Sequence, residues 1–277
     1  MRPLGDRQKA LARQLLGRGP LRPAARLAWH ALLHVETRLA ALRRPPPGDV
    51  AGVTAIIKTF ERPARCRALV ASIRRAFPTL PTIIADDSRV TGDYPGAGVV
   101  RLPFDSGVGA GRQAALDRVE TDFVLNLDDD FLFHAGTDLA GALALLNAHD
   151  RVDLIGGRVI DLPLRIVHDL RTETLNPTER APRLPLGTKL GPLELVDKVP
   201  NFFLARTAAV RAVGWDPALK RLDHADFFTR ARGRIATALW DKWSVLHWRD
   251  PFDTAYLAFR DDHAADRRLL GKRYRRA

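Results

Sequence analysis

The stretch Phe123-Val124-Leu125-Asn126-Leu127-Asp128-Asp129-Asp130 decides how this chain folds. Its first five residues form a short apolar run of the kind a buried strand needs. Three consecutive carboxylates then close it. Such a trio repels itself and is costly to desolvate. It becomes favourable where a divalent cation is held, because hard cations prefer oxygen ligands. Open α/β sheets bind nucleotides just past the carboxyl ends of their strands. The segment therefore suggests a site for a metal, a nucleotide and its phosphates. An acidic turn whose aspartate caps the next helix accounts for the same residues without a ligand.

Working outward, residues 53–57 (Val-Thr-Ala-Ile-Ile) read as a buried strand, and 62–77 as a helix with Leu69, Ile73 and Phe77 at core spacing. Residues 82–85 form a second strand, closed by Asp86-Asp87-Ser88, and 99–102 a third. The turn Gly107-Val108-Gly109-Ala110-Gly111 leads into a helix at 112–120. Downstream, helix 137–148 and strand 152–160 follow, then strand 201–205, helices 207–213 and 223–232, and a last strand at 240–247. This alternation predicts an open, mostly parallel α/β sheet flanked by helices.

The chain of 277 residues divides into a basic helical arm with a Pro-rich linker (1–49), a main domain (50–260) and a basic C-terminal tail (261–277). Apolar residues Ala25, Ala28, Trp29, Leu32, Val35, Leu39 and Leu42 follow helical spacing in the arm. Pro20 and Pro23 predict two helices there rather than one. The ends carry most of the +12 net charge, with ten Lys/Arg against three Asp/Glu in 1–49 and six against three in 261–277. The near-neutral middle argues against nucleic acid as a partner. Basic ends fit either solvated tails or peripheral contact with an anionic membrane. One cysteine, Cys66, excludes an internal disulfide and favours a reducing compartment. No apolar run reaches bilayer length. Residues 161–196, with five prolines and little periodicity, read as a substrate loop.

Thr59 and Arg62 follow the first strand, Asp86 and Asp87 the second, and Asp128–Asp130 the fourth. All therefore fall at one edge of the sheet. A carboxylate can accept from a nucleobase N–H, and an arginine or the Gly107–Gly111 backbone can meet phosphate. The glycine run is neither a P-loop nor a dinucleotide fingerprint.

Six blocks carry a resemblance: VTAIIKTFERP, IIADDS, GAGRQAAL, FVLNLDDDF, VPNFFLART and VGWDPALKRLDHADFF, in that order over roughly residues 52–250. Together they resemble the GT-A glycosyltransferases, and among them the β-1,4-N-acetylgalactosaminyltransferase (GM2 synthase-like) group near the family 2 enzymes. The resemblance implies a GT-A fold, an open mixed sheet flanked by helices, here with an N-terminal helical arm. It implies metal-dependent, inverting transfer of a hexose or N-acetylhexosamine from a UDP-sugar to a hydroxyl-bearing glycan or lipid-linked acceptor, with Mn²⁺ or Mg²⁺ as cofactor.

Position by position, it makes Thr59, Phe60 and Arg62 the first nucleotide-binding loop. Asp87, and with it Asp86, would contact the base, and Arg112 the ribose or diphosphate. Asp128 and Asp130 are the outer members of the D-x-D motif, flanking Asp129, with Asp130 the best metal ligand. His247 would complete the metal site. Asp226, in HADFF, takes the place of the catalytic base, where animal relatives tend to have Glu. Asn201 is a candidate for contact with donor or acceptor, and His224 is either structural or on the acceptor side. The single cysteine and lack of an anchor suggest a bacterial, cytoplasmic enzyme, peripheral at the inner membrane face. Two rival expectations are a nucleotidyltransferase on a similar sheet and a non-catalytic binding protein. Lys58-Thr59-Phe60-Glu61-Arg62-Pro63 disfavours the first, because no Gly-rich basic loop follows the first strand.

Overall fold

The structure is a computed structural model that describes residues 22–167 and 174–274. The first half of the arm, residues 168–173 of the Pro-rich segment and the last three residues of the tail lie outside the described residues.

Strand β1 (Val53–Thr59) runs parallel to both β2 (Thr82–Asp86) and β4 (Phe123–Asp128), and β2 runs parallel to β3 (Gly98–Arg101). Past β4 the direction reverses. Strand β10 (Phe203–Arg206) is antiparallel to β4 and to β6 (Leu154–Leu162). The long β11 (Thr237–Trp248) then runs parallel to β6. A hairpin of β8 (Lys189–Leu190) and β9 (Leu193–Leu195) closes that edge. Two short strands pair off the main path: β5 (Phe131–Leu132) with β11, and β7 (Ile166–Val167) with β6. The sheet is thus mixed, and the reversal at β10 brings the ends of β4 and β11 to one cleft.

Side-chain alternation fixes the two faces of the sheet. Ile57, Leu125, Leu127 and Leu204 point to a core that includes Leu69 and Ile73 of α2 (Pro63–Ala76) and Leu139 and Leu146 of α4 (Leu139–Ala148). Ile56, Val124 and Phe203 point the other way, towards α3 (Val108–Leu116), α5 (Thr207–Val213) and α6 (Asp223–Ala231). Each fully buried Leu or Ile contributes about 1.5–3 kcal/mol, so a one-residue slip of β1 or β4 would forfeit both layers.

Three expectations shift. The glycine run is not a turn before a helix but the first turn of α3. Gly107 adopts φ 98, and Val108 N and Gly109 N donate to the carbonyls of Lys220 and Leu219 at 2.9 and 3.0 Å. In the arm, Pro23 does not interrupt a helix but sits in the first turn of α1 (Arg22–Leu42), where no N–H is required; Pro20 and the other helix expected of the arm lie outside the described residues. The C-terminal residues are not a loose tail. After α7 (Thr254–Arg260), helix α8 (Ala264–Arg273) docks through Asp266, which accepts from the backbone N–H groups of Lys220, Arg221 and Leu222. No described helix is long and apolar enough to cross a membrane.

Candidate active site

The parallel register of β1 and β4 sets Lys58 beside Asp128 at the rim of the sheet. The loops after β1 and β4 and the helices α3, α6 and α7 (Thr254–Arg260) converge on that rim. They enclose a cavity of about 470 Å³, in the range of small-ligand sites, with Lys58, Arg62, Arg112, Asp128, Asp223 and His247 in its lining.

Charge is balanced pair by pair. Arg112, only 3% exposed, donates to Asp128 and, at 2.5 Å, to Asp223 Oδ2. Asn201 Nδ2 adds a second donor to Asp128 at 3.2 Å, and Asn126 Nδ2 fixes the Asn201 carbonyl at 2.6 Å. Arg62 donates to Asp129 and, at 2.9 Å, to Asp130 Oδ2, while its guanidinium lies 3.8 Å over the Tyr256 ring. Lys58 Nζ pairs with Asp87 Oδ1 at 2.7 Å.

His247 joins this network from β11. Its Nε2 lies 3.2 Å from Asp130 Oδ2 and its Nδ1 2.7 Å from Asp161 Oδ1. Burial opposes a charge on His247, but the two aspartates outweigh it and raise the imidazole to about 10. Burial likewise opposes a charge on Asp130, yet His247 and Arg62 hold its carboxyl well below the usual range. Asp129 and Asp223 go the other way. Burial pushes Asp129 up against the pull of Arg62, and Asp223 up against the pull of Arg112. Burial also lowers Lys58, with Asp87 resisting.

Of the residues singled out in the sequence, Phe60, Arg62, Arg112, Asp128, Asp129 and Asp130 line the cavity, as do Asn201, His224 and His247. Thr59, Asp86 and Asp87 do not. Thr59 is fully buried and donates to Asp129 Oδ2 at 2.8 Å, so it positions a carboxylate instead of meeting a nucleotide. Asp86 is consumed by its own loop, accepting from Ser88 N, Gly92 N and the Tyr94 hydroxyl. Asp87 is held behind Lys58 by that ion pair and by Gly107 N at 2.8 Å, leaving Lys58 as the group that reaches the cavity. The Gly107–Gly111 backbone is no phosphate cradle, because its first amides are already bonded.

The largest correction concerns Asp226. Its carboxylate is completely buried and away from the cavity, bound to Arg230 at 2.7 Å, Arg273 at 2.6 Å and the Tyr274 hydroxyl at 2.7 Å. It latches the C-terminal helix. Asp223, one helical turn earlier, lines the cavity instead. The motif LDHADFF offered both carboxylates; the position of Asp223 at the start of the helix, nearest the sheet rim, was the signal for it. Of the 161–196 segment, only Asp161 belongs to the lining among the described residues.

Part of the donor set suits a divalent cation. Asp130 Oδ2 and His247 Nε2 meet at 3.2 Å in the cavity lining, where Arg62 Nη1 also donates to that oxygen at 2.9 Å and would have to yield it to a cation, and Asp161 fixes the His247 ring from behind, as in carboxylate–histidine–metal sites. Asp128 is bonded to different partners, with Arg112 on one oxygen and Asn201 on the other. No cluster of three protein ligands exists among the described residues. The fit is therefore to a cation held by one carboxylate and one imidazole, with the remaining positions left to phosphate oxygens and water. That mixed O/N set suits Mn²⁺ better than Mg²⁺.

Comparison with known proteins agrees with this architecture. The family described as "Glycosyl transferase family 2" matches residues 54–214, more than half the chain. Human beta-1,4 N-acetylgalactosaminyltransferase 1 is 39% identical over 217 residues, covering 69% of this chain and 39% of that protein. The rat protein of the same name is 34% identical over 242 residues, covering 79% and 45%. The chain thus spans less than half the length of these curated relatives. Among solved structures, S. aureus TarS 1-349 in complex with UDP-GlcNAc superposes with a TM-score of 0.55 at 19% identity, over 73% of this chain and 59% of that one. GalNAc-T7 with UDP, GalNAc and Mn2+ superposes with a TM-score of 0.54 at 12% identity, over 71% and 44%. At such identities the structures share the GT-A fold and nothing finer.

Proposed function

This chain belongs to glycosyl transferase family 2, and on that premise we propose that it transfers a hexose or N-acetylhexosamine from a UDP-sugar to a hydroxyl acceptor, with inversion. The observation that carries this reading is the Arg112 bridge, which holds Asp128 and Asp223 on one cavity wall.

In this reading the donor lies along the rim of β1 and β4. Phe60 and Lys58 border the nucleoside end, and Arg62 with Arg249 the diphosphate. Asp130 and His247 would hold Mn²⁺, which would neutralise charge on the departing diphosphate. Asp223 accepts the proton of the attacking hydroxyl. Burial raises its affinity for a proton, against the pull of Arg112, which also keeps it aimed. The acceptor enters past Asn201 and His224, where burial and the charge of Lys198 lower the imidazole to about 4, so it is neutral and donates no charge to the site. A hydroxyl on a glycan or a lipid-linked glycan meets these requirements. The relatives' names favour an N-acetylhexosamine donor.

The test is a panel of UDP-sugars incubated with the full chain, with Mn²⁺ or with chelator, followed by product NMR. Turnover of at least one UDP-sugar that needs the cation and inverts the anomeric centre is expected. Absence of UDP binding in the presence of Mn²⁺ would remove the donor assignment.

A further inference from the structure

Among the described residues, helix α1 buries one face and exposes another. Leu33 is 1% exposed and packs with Leu132, Leu162 and Leu246; Trp29 and Ala40 flank it. On the outer face Leu32, Val35 and Leu39 are each about half exposed, at 51, 53 and 49%, and Leu42 is more so. Together with Ala28 they recur at alternating steps of four and three residues, which is one continuous stripe along a helix. The stripe does not end with the helix. Glu36, flanked by Leu32 and Leu39 on the helix surface, pairs with Arg165 Nη2 at 2.6 Å. That contact brings the β6–β7 turn alongside, and with it the exposed Leu164, Ile166 and Val167. The result is an apolar face made of one helix and one hairpin tip.

Arginines border it: Arg38, Arg43 and Arg44 are exposed on or just after the helix, and the side chains of Arg165 and Arg249 are 55 and 51% exposed. The only acidic residue of α1, Glu36, is already neutralised by Arg165. We propose that this face is a docking surface for an anionic lipid bilayer, into which the leucines and valines insert while the arginines meet headgroup phosphates. Charge decides the occupant. An amphipathic helix with an apolar stripe and an arginine border is the form that lies in a membrane interface. A second copy of the chain would set Arg38, Arg43 and Arg44 against their equals, and the hairpin tip breaks the linear seam that helix pairing needs.

Its position gives the surface a purpose. Trp29 Nε1 donates to the Arg249 carbonyl at 3.0 Å, and His30 meets Asp250 at 3.1 Å. Arg249 lines the candidate active site and pairs with Asp161 Oδ2 at 2.7 Å. The docked face therefore adjoins the cavity mouth, so a hydroxyl carried on a lipid anchor would arrive from the bilayer at the wall formed by β6 and β11. This corollary about the acceptor rests on the proposed transfer reaction; the docking surface does not.

The full chain is sedimented with vesicles of phosphatidylcholine alone, or of equal parts phosphatidylcholine and phosphatidylglycerol. Binding is expected to the anionic vesicles, weakening with salt. Leu32→Glu/Val35→Glu/Leu39→Glu should weaken it about tenfold or more, and Arg38→Ala, Arg43→Ala and Arg44→Ala about fivefold each. All these side chains are exposed, so melting temperature and Mn²⁺-dependent UDP binding should not change, which separates failure of the surface from failure of the donor site. No binding to anionic vesicles, equal binding to neutral ones, binding indifferent to the leucine substitutions, or a dimer that those substitutions disperse would each overturn the proposal.

Discussion

Asp226 sits one helical turn beyond Asp223 on α6, yet their carboxylates serve different masters: Asp223 opens on the cavity and Asp226 is sealed against Arg230, Arg273 and Tyr274. The two substitutions should separate chemistry from folding. Asp223→Asn should lower kcat by about 10²–10⁴ while leaving donor KM and melting temperature close to wild type. Asp226→Asn should instead strip a buried charge from its partners, costing about 3–5 kcal/mol and lowering the melting temperature by roughly 10 °C. Initial-rate kinetics paired with thermal melts distinguish the two, and a large kcat loss in Asp226→Asn at unchanged stability would reverse the assignment.

Arg112 spans two carboxylates with one planar fork, and a point charge cannot. Arg112→Lys should therefore keep the charge but lose the geometry, reducing kcat/KM by about tenfold to a hundredfold. Steady-state kinetics over a donor series measures it; a variant as active as wild type would show that the bridge does not aim Asp223.

Asp161 lines the cavity and holds His247 Nδ1 at 2.7 Å. Asp161→Asn should weaken the Mn²⁺ enhancement of UDP binding by about 10–100-fold, and Asp130→Ala should abolish it. Calorimetry with and without Mn²⁺ reads both. Unchanged metal dependence in Asp130→Ala would take that residue out of the cation site.

His134 is held neutral. Burial, reinforced by Arg165, lowers its imidazole to about 4, and Ser244 Oγ lies 3.0 Å from Nε2. The unfolded chain takes up this proton below about 6.5 and the folded chain only near 4, so folding stability falls as pH drops between those values. The loss reaches up to about 2 kcal/mol at pH 5. His134→Gln should narrow the gap between melting temperatures at pH 7 and pH 5; His224, shifted the same way, accounts for part of what remains.

Gly109 packs where no side chain fits: a Cβ there would stand 2.0 Å from the Asp216 carbonyl oxygen. Gly109→Ala should destabilise the whole fold, because backbone meets backbone and neither can yield. A thermal melt within a degree of wild type would contradict that contact.

Local pattern made some of this site readable and withheld the rest. Strands β1 and β4 announced themselves through β-branched and apolar runs, and the three aspartates marked the rim because carboxylates closing a buried strand are costly to desolvate without partners. Arg62, Arg112 and His247 reached the cavity as expected. Asp223 stayed hidden because α6 is oriented by a partner 47 residues further on, Arg273, whose grip on Asp226 no local spacing reveals. Asp87 and Thr59 sit at the right strand ends but one layer too deep, since Lys58 and Asp129 interpose. The glycines predicted a turn, but the carbonyls of Lys220 and Leu219, a hundred positions away along the chain, recruited their amides into a helix. Each miss is a long-range contact that outvotes a correct local preference.

Tyr256 and Phe259 of α7 complete the cavity that begins at Lys58 and Phe60, and the Phe60 and Phe259 rings meet edge to face at 5.2 Å. The first and last of these walls lie about two hundred positions apart in the sequence, so the cavity exists only once both ends of the domain have packed together. On the proposed function, a chain cut before residue 254 should lose donor binding even with its sheet intact, because the wall supplied by α7 would be gone.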